Sequence, residues 1–416
     1  MTVAYRENLL IAGMGRTGQS VADYFSRAGI TYSACDDRDD YPDCADVLSG
    51  FQGYVIKSPG IAPRVLPVGE KTDVINDVEL FMRLCKKPVI MVTGTNGKST
   101  VVTLLEHLLR STGIRAIACG NNGIPVLQAM NTDIEFYILE LSSYQLENMS
   151  SFGSMGSVLL NIGIDHVDRY RDMQEYLTVK QKIYRDSRVS VYPINAGDNV
   201  SYGEDIEGYL ADSGMQKIIF RISDGRITRN GEHYCDTAEL SLIGSHNYLN
   251  VCAALAIIDV LSLSDKVIVS ALGSFVGLPH RMEIVCHDTQ GRAWINDSKS
   301  TNVHALRAAL ASQLKPVCLI AGGRGKGEDY QQVFTDFSHV IEKLILFGED
   351  ARVMESQSQR IDDRVVVDTL AEAVGHVGNY NGDILFSPAC ASFDQYRDYM
   401  ARGDDFRVHA RQVTSC

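Results

Sequence analysis

The sequence predicts an α/β protein in which parallel sheets are built by three successive units, over residues 1–87, 88–278 and 279–416. Three observations predict this. Short β-rich apolar runs alternate with helical patterns along almost the whole chain, the signature of repeated βαβ units. Two glycine-rich loops, Gly13–Gly18 and Gly94–Thr100, each leave an apolar strand and enter a helix. The 416 residues suit two or three domains at ~150 residues each.

In chain order, Leu9–Gly13 reads as a strand running into a glycine turn. Thr17–Ala28 is an amphipathic helix stopped by Gly29, and Thr31–Cys35 is the next strand. The first unit ends near Lys86-Lys87-Pro88. Val89–Thr93 opens the second, and the loop Gly94–Lys98 leads into a helix over Ser99–Leu109. Strands follow at Arg115–Cys119, Phe136–Leu141 and Ser157–Ile162. The polar stretch Ser187–His233, punctuated by Gly and Asp, reads as strands and loops peripheral to this sheet, and Asn250–Ser262 as a helix. Gly277-Leu278-Pro279 is a linker. Beyond it, strands at Ala293–Asn296, Val317–Ala321, Lys343–Phe347, Arg364–Val367 and Asp383–Phe386 alternate with helices. The chain has neither an internal repeat nor a low-complexity tract.

Composition removes several function classes. The net charge of −13 argues against a nucleic-acid coat or an anionic membrane surface as partner. Any site for an acidic substrate must therefore carry its basic charge locally. The ten cysteines are scattered, without C-x-x-C or H-E-x-x-H, which leaves a zinc ribbon or zincin unsupported. They read as reduced, mostly buried thiols of a cytoplasmic protein. Met1–Asn8 reaches a charge pair before any apolar run and does not read as a signal peptide. No apolar stretch approaches the ~20 residues that span a bilayer.

The strongest chemical signal is Gly94-Thr95-Asn96-Gly97-Lys98-Ser99-Thr100. Its glycines let backbone N–H groups approach phosphate oxygens, and the helix N-terminus favours their charge. Lys98 can reach the β/γ-phosphates and Ser99 can ligate Mg²⁺. The loop is two residues shorter than G-x-x-x-x-G-K-[ST], and its strand–helix context favours nucleotide binding over a glycine turn with a solvated lysine. Gly13-Met14-Gly15-Arg16-Thr17-Gly18 matches G-x-G-x-x-G, with Asp36 and Asp37 at the spacing of a ribose-binding acid. Tight helix–strand packing explains that pattern as well as ligand binding does. The second glycine loop begins too soon for a complete dinucleotide fold, although half of one holds a nucleotide diphosphate.

Glu140 ends a strand beside the nucleotide loop, where a Mg²⁺ ligand is needed; a solvated strand-end acid is the bland alternative. The strand before Asn161–Tyr170 delivers His166 to the same edge, and a lone histidine there is as readily a packed one. Three polar loops fall at strand ends of the third unit: Ser298–Asn302, Gly322–Lys326 and Ser387–Ser392. Singly each is ordinary turn chemistry. Together they argue for a site shared by the second and third units.

Taken together, these segments resemble the Mur ligase family of ATP-dependent amide ligases. The resemblance covers essentially the whole chain through Gly94–Thr100, Glu140–Glu147, Asn161–Tyr170, His246–Asn250, Leu278–Glu283, Trp294–Asn302 and Ser387–Gln395. It implies a Rossmann-like UDP-binding unit, a central P-loop ATPase-type parallel sheet and a C-terminal Rossmann-like unit that binds the amino acid. The implied UDP-substrate contacts are Gly15, Arg16, Thr17, Asp37, Arg38 and Gly60 within Ser58-Pro59-Gly60, with Asn121, Ser142 and Gln145 toward the sugar. Gly94 through Thr100, Asn247, Asn250, Arg281, Asp297 and Lys299 match ATP contacts. Ser99, Glu140, His166 and Lys180, the last as a carbamate, match the ligands of two Mg²⁺ ions. Thr301, Lys326, Ser392, Phe393 and Tyr399 match the positions that hold D-glutamate, although Tyr399 is equally a core aromatic.

The implied reaction joins D-glutamate to UDP-N-acetylmuramoyl-L-alanine through an acyl phosphate, in cytoplasmic synthesis of peptidoglycan precursors. An amine cannot displace oxide from a carboxylate at a useful rate, so phosphate is installed first as leaving group. Lys98, His166, Lys180 and Arg281 are the implied catalytic positions. Carbamylation needs a neutral amine, and at an ordinary pKa of ~10.4 less than ~0.1% of a lysine is neutral at pH 7. A surface helix lysine like Lys182 is the alternative for Lys180. Closure of the third unit about Leu278-Pro279 is expected to bring the amine to the acyl phosphate. The expected partners are these small molecules and ATP, with no nucleic acid, no membrane insertion and a monomeric chain. The rivals are another ligase of the class, an NAD-dependent dehydrogenase built on Gly13–Gly18, and a non-catalytic nucleotide-binding protein.

Overall fold

A computed structural model describes residues 8–38, 40–61, 72–121, 123–130, 133–163, 169–203, 205–242, 244–313 and 315–414. It contains three separate sheets. Two compact units hold them: Met1–Glu239 with Leu249–Ser274, and Leu240–Tyr248 with Phe275–Cys416.

The first sheet is formed by β1 (Leu9–Ala12), β2 (Ser33–Cys35), β3 (Gly53–Lys57) and β4 (Thr72–Ile75), in the order β2-β1-β3-β4. All its neighbours are parallel. Every residue of β1 is buried, as in a parallel strand covered on both faces. Helix α1 (Arg16–Arg27) buries Val21, Ala22 and Phe25 on one face. Gly29, at φ 67°, ends it in the left-handed region that glycine tolerates. Helices α2 (Cys44–Leu48) and α3 (Asp77–Leu84) complete this layer. One cysteine expectation is corrected here. The end of β2 and the start of α2 bring Cys35 and Cys44 to a Cα separation of 5.0 Å, and they form a disulfide. Among the described residues seven other cysteines are thiols, five of them buried.

The second sheet begins with β5 (Val89–Thr93), β6 (Ala116–Gly120), β7 (Phe136–Glu140), β8 (Gly156–Leu159) and β9 (Ser190–Ile194). It continues through β10 (Gly208–Asp212), β11 (Lys217–Ser223), β12 (Arg226–Arg229) and β13 (Glu232–Asp236). The order is β13-β12-β11-β10-β9-β8-β5-β7-β6. From β9 to β6 the pairing is parallel, and β5, flanked by β7 and β8, is wholly buried. The segment 187–233 was expected to be peripheral; it supplies β9, parallel to β8, and then extends the same sheet in antiparallel fashion. In β11 buried residues alternate with exposed or half-buried ones over Lys217–Arg221, as in an antiparallel strand covered on one face.

Helices α4 (Lys98–Ser111), α5 (Val126–Ala129), α6 (Ser143–Glu147), α7 (Met173–Gln181), α8 (Ser245–Asp259) and α9 (Asp265–Ser274) accompany this sheet. The apolar pattern placed α8 at 250–262. Its first turn is instead the polar Ser245-His246-Asn247, which carries no hydrophobic period. The first two sheets share one core, in which Ile11, Ile56 and Phe81 pack in the same cluster as Met91, Leu139 and Leu159. Among the described residues no helix is long and apolar enough to cross a membrane.

The third sheet comprises β14 (Glu283–His287), β15 (Ala293–Asn296), β16 (Val317–Gly322), β17 (Ile341–Phe347), β18 (Arg364–Val366) and β19 (Asp383–Phe386), ordered β14-β15-β19-β16-β17-β18. Only the edge strand β14 is antiparallel to its neighbour. Helices α10 (Val303–Ala311), α11 (Gln331–Asp336), α12 (Ala351–Gln357), α13 (Leu370–Gly375) and α14 (Tyr399–Thr414) alternate with or follow these strands. Because β15, β19 and β16 are adjacent and parallel, the loops after them emerge on one rim, as their polar sequences required.

Candidate active site

The loop after β5 is built for an anion. Gly97 caps α4 at φ 85°, a left-handed conformation suited to glycine. A Cβ on Gly97 would overlap Asn250 Oδ1, and one on Gly94 would lie 2.9 Å from Leu160 Cβ. The loop backbone is fixed by Asn161, which stands just beyond β8. Its carbonyl accepts from Thr95 N at 3.0 Å. Its Oδ1 accepts from Asn96 N at 2.9 Å, and its Nδ2 donates to Asn96 O at 3.1 Å. The Lys98 ammonium folds over the loop and donates to Gly94 O at 2.7 Å and Thr95 O at 2.8 Å. Ser99 and Thr100 are buried in the first turn of α4.

One predicted residue meets this loop from another element, and a second stands on the neighbouring strand. Lys180, near the end of α7, is only 1% exposed, so it is not a surface lysine like the half-buried Lys182. Its Nζ donates to Gly94 O at 2.9 Å and Thr93 Oγ1 at 3.3 Å, and lies 4.8 Å from the centre of the Tyr176 ring. Glu140 sits at the end of β7, paired in register with Val92 of β5. Its Oε1 accepts from Asn121 Nδ2 at 2.9 Å. Its Oε2 is buried and without a hydrogen-bond partner among the described residues. An orphaned carboxylate oxygen is costly unless a cation or donor completes it. Glu140 and the Ser99 hydroxyl are hard oxygen donors of the kind Mg²⁺ takes, so these residues fit that ion. His166 lies outside the described residues.

The first glycine loop forms a second centre in the same unit. Gly15 caps α1, and Gly15, Arg16 and Arg38 line a cleft of about 390 Å³ with Met14, Gln19, Ser20, Asp23, Pro125 and Gln128. Arg16 Nη2 donates to Gly123 O at 2.5 Å. Of the two acids after β2, Asp36 is the engaged one: its carboxylate accepts from Met14 N, and from Arg38 N at 3.1 Å and Arg38 Nε at 2.8 Å. The Arg38 guanidinium, then the Met14 N–H, hold the Asp36 carboxyl below the usual carboxylate range. Asp36 thereby closes the glycine loop, whereas Asp37, Thr17, Gly60 and Asn121 do not line the cleft. With four strands the sheet is half a dinucleotide fold, and its spacing-matched acid is occupied by protein donors. Ser142 and Gln145 bond each other in the capping box of α6, the turn chemistry their sequence also allowed.

In the other unit the rim of the third sheet gathers several predicted residues. Asp297, after β15, accepts from Ser387 Oγ at 2.9 Å and Met282 N at 3.2 Å. Burial pushes its carboxyl up to about 7, against the pull of Ser387, Met282 N–H, Arg281 and Arg402. The Lys299 ammonium lies 3.9 Å from the Tyr399 ring centre. Arg402, fully buried in α14, ties two loops together: Nη2 donates to Ser298 O at 2.8 Å and Nη1 to Cys390 O at 3.0 Å. Thr301 is half-buried, Ser392 buried, and Lys326 and Phe393 exposed. Asn247 and Asn250 are both buried, one turn apart on α8.

Asp36, Asn161, Ser387 and Arg402 were not assigned these roles from sequence. Each acts on loop backbone or on another polar side chain. The available signal was a polar residue within two positions of a strand's end, or an arginine among the buried positions of a helix.

Residues 92–258 match the Mur ligase middle domain, and residues 280–386 match the Mur ligase, glutamate ligase domain. Relatives named UDP-N-acetylmuramoylalanine–D-glutamate ligase extend the likeness across the chain. The protein of Alcanivorax borkumensis is 35% identical over 97% of this chain and 98% of its own. That of Shewanella oneidensis is 36% identical over 97% and 98%, and that of Haemophilus influenzae 33% over 100% of both. Among solved structures, a Thermotoga maritima UDP-N-acetylmuramate-alanine ligase superposes with a TM-score of 0.59 at 16% identity, covering 98% of this chain and 99% of its own. The Thermotoga maritima MurF ligase, solved in complex with ADP, gives 0.57 at 14%, covering 98% and 95%. The chain belongs to the Mur ligase family and is a ligase.

Proposed function

We propose that this chain joins D-glutamate to UDP-N-acetylmuramoyl-L-alanine at the expense of ATP, in cytoplasmic synthesis of peptidoglycan precursors. The observation that carries the reading is the constellation at the ends of β5 and β7. A glycine loop suited to phosphate leaves β5, Lys98 of α4 and Lys180 of α7 donate to it, and the neighbouring β7 ends in a buried carboxylate with one oxygen unsatisfied among the described residues. The near full-length relatives of that name support the choice of substrates.

In this reading Gly94–Gly97, Lys98, Ser99 and Thr100 hold the ATP phosphates, and Lys98 exchanges its loop carbonyls for phosphate oxygens. Asn247 and Asn250 contact the adenine. Arg281, Asp297 and Lys299 serve the nucleotide, and Thr301, Lys326, Ser392, Phe393 and Tyr399 serve D-glutamate. Gly15, Arg16, Thr17, Asp37, Arg38 and Gly60 serve the UDP group, and Asn121, Ser142 and Gln145 the sugar and alanine. Lys180, withdrawn from water as carbamylation requires, together with Glu140, Ser99 and His166, would hold two Mg²⁺ ions, which supply positive charge to the phosphates when bound. Both organic partners are anionic, so Lys98 and Arg281 lower the cost of their approach; preorganised charge of this kind is worth several kcal/mol. The alanyl carboxylate takes the γ-phosphoryl group and ADP leaves; the neutral D-glutamate amine then attacks the acyl carbon, gives up a proton, and inorganic phosphate leaves as the amide forms.

The domain boundaries we assign are 87/88 and 278/279, and we take the chain to act as a monomer without nucleic acid or membrane insertion. The test is phosphate release by the purified protein. Release only with all three substrates present supports the reading. Equal release without D-glutamate overturns it in favour of a plain ATPase.

A further inference from the structure

The fully buried lysine at the end of β3 has no part in the chemistry described so far. Lys57 has 0% exposure, and a buried ammonium is retained only where partners repay its desolvation. Its partners are backbone carbonyls: Nζ donates to Ile61 O at 2.8 Å and to Ser58 O at 3.4 Å. Both belong to the turn Ser58-Pro59-Gly60-Ile61, closed by Ile61 N to Ser58 O at 3.1 Å. Arg169 Nη1 donates to a third carbonyl of the turn, Gly60 O, at 3.5 Å. Two cations thus grip three carbonyls of four consecutive residues.

What the turn rests on gives the grip a consequence. Ser58 N donates to Ala12 O at 2.8 Å, and Ser58 Oγ donates to Gly13 O at 3.0 Å. A Cβ on Gly13 would stand 2.8 Å from Ser58 Cβ. The turn is therefore a wall of the first glycine loop. Among the described residues nothing stands within 4 Å of where a Cβ would sit on Gly60 or Gly15. A ligand can approach the Gly15 backbone closely, while Lys57, fully buried, is out of its reach.

We propose that Lys57 is a positioning residue for the UDP-linked substrate, holding the Ser58–Ile61 turn against the glycine loop so that the loop backbone at Gly15 is set for the diphosphate. The proposal rests on the UDP-binding assignment made above and adds to it a residue that does not touch the ligand. Burial, then Arg169, lowers the Lys57 ammonium to about 8, against the pull of Glu147 and Asp77.

The experiment is steady-state kinetics of wild type, Lys57→Met and Lys57→Gln, each substrate varied in turn. Loss of a charge-assisted hydrogen bond predicts that Lys57→Met raises KM for the UDP-linked substrate roughly tenfold. KM for ATP and for D-glutamate should stay within about twofold, as expected for a group that acts through one loop. Lys57→Gln, which keeps an N–H donor, should fall between. A UDP-substrate KM unchanged in Lys57→Met, or a common rise in all three KM values, overturns the proposal. Should Lys57→Met fail to fold, Lys57→Gln decides by the same criteria. Wild-type turnover is measured first. Its absence overturns the ligase reading and this inference with it, whereas wild-type turnover with unaltered variant KM overturns the inference alone.

Discussion

Replacing Glu79 with glutamine should destabilise the larger compact unit by about 3 kcal/mol. Glu79 lies in α3 with no exposed side-chain surface. Its Oε2 accepts from Ser150 N at 2.9 Å and Ser151 N at 2.8 Å. Its Oε1 accepts from both serine hydroxyls, at 2.9 and 2.7 Å, and from Arg83 Nε at 2.6 Å. An amide can supply only one of these oxygens and must turn N–H groups toward donors at the other. Burial works against the carboxylate, but the donors outweigh it and hold the carboxyl at about 2 instead of 4.5. At about 1.4 kcal/mol per tenfold, that difference corresponds to about 3 kcal/mol. With about 2–4 °C lost per kcal/mol in a unit of this size, the melting transition should fall by roughly 6–12 °C at pH 7. The native carboxyl titrates below its unfolded value. Its contribution is therefore complete above about pH 4.5 and is lost as pH falls through about 2. Calorimetry of wild type and Glu79→Gln between pH 3 and 8 measures this. A difference below 1 kcal/mol at neutral pH, estimated on the same linkage, or one that grows on acidification, would refute the reasoning.

The remaining predictions concern the two nucleotide-side loops and the rim of the third sheet. Lys180→Ala should abolish turnover while leaving the melting profile largely intact, and small carboxylic acids should restore part of the rate; full activity would remove the carbamate. Gly97→Ala places a side chain at φ 85° against Asn250, so ATP affinity by titration calorimetry should drop at least ~10-fold, the strain being about 1–2 kcal/mol before the clash. Unchanged ATP affinity would disconnect the loop from the nucleotide. Asp297→Asn should stabilise its unit increasingly from about pH 4 to pH 7 and by a constant amount above. The native carboxyl is raised to about 7 from 3.8, so wild-type stability is lost over that interval. A pH-independent difference in melting temperature would show that Asp297 is not titrating as its burial requires.

The elements that sequence rendered best are those whose neighbours are all parallel strands. Val89–Thr93 and Asp383–Phe386 carry uninterrupted or nearly uninterrupted burial and match their apolar runs residue for residue. Edge strands were less visible. In β14 all five residues are exposed or half-exposed, so its sequence carries no continuous apolar signal and it was not assigned. The antiparallel extension β10–β13 was seen as strands but not as part of the sheet, because register with β9 is a tertiary property. At the site, the residue types after β5 and at the end of β7 pointed to Lys98 and Glu140, whereas Lys180 and Asp297 came from the family resemblance alone. Sequence could not say that Asp36 rather than Asp37 closes the first glycine loop, since adjacent acids differ only in where the backbone aims them. Nor could it reveal Lys57, which reads as a charged strand end until its burial is known. The resemblance to a family located Ser58–Gly60, whereas the physical reason for the turn's stability came from its hydrogen bonds.

The central claim is that the alanyl carboxylate is activated as an acyl phosphate before the amine arrives. UDP-N-acetylmuramoyl-L-alanine bearing heavy oxygen in that carboxylate, turned over with ATP and D-glutamate, tests it by mass spectrometry of the inorganic phosphate. The account predicts one labelled oxygen in each phosphate released with product. Unlabelled phosphate accompanying full amide formation would contradict it.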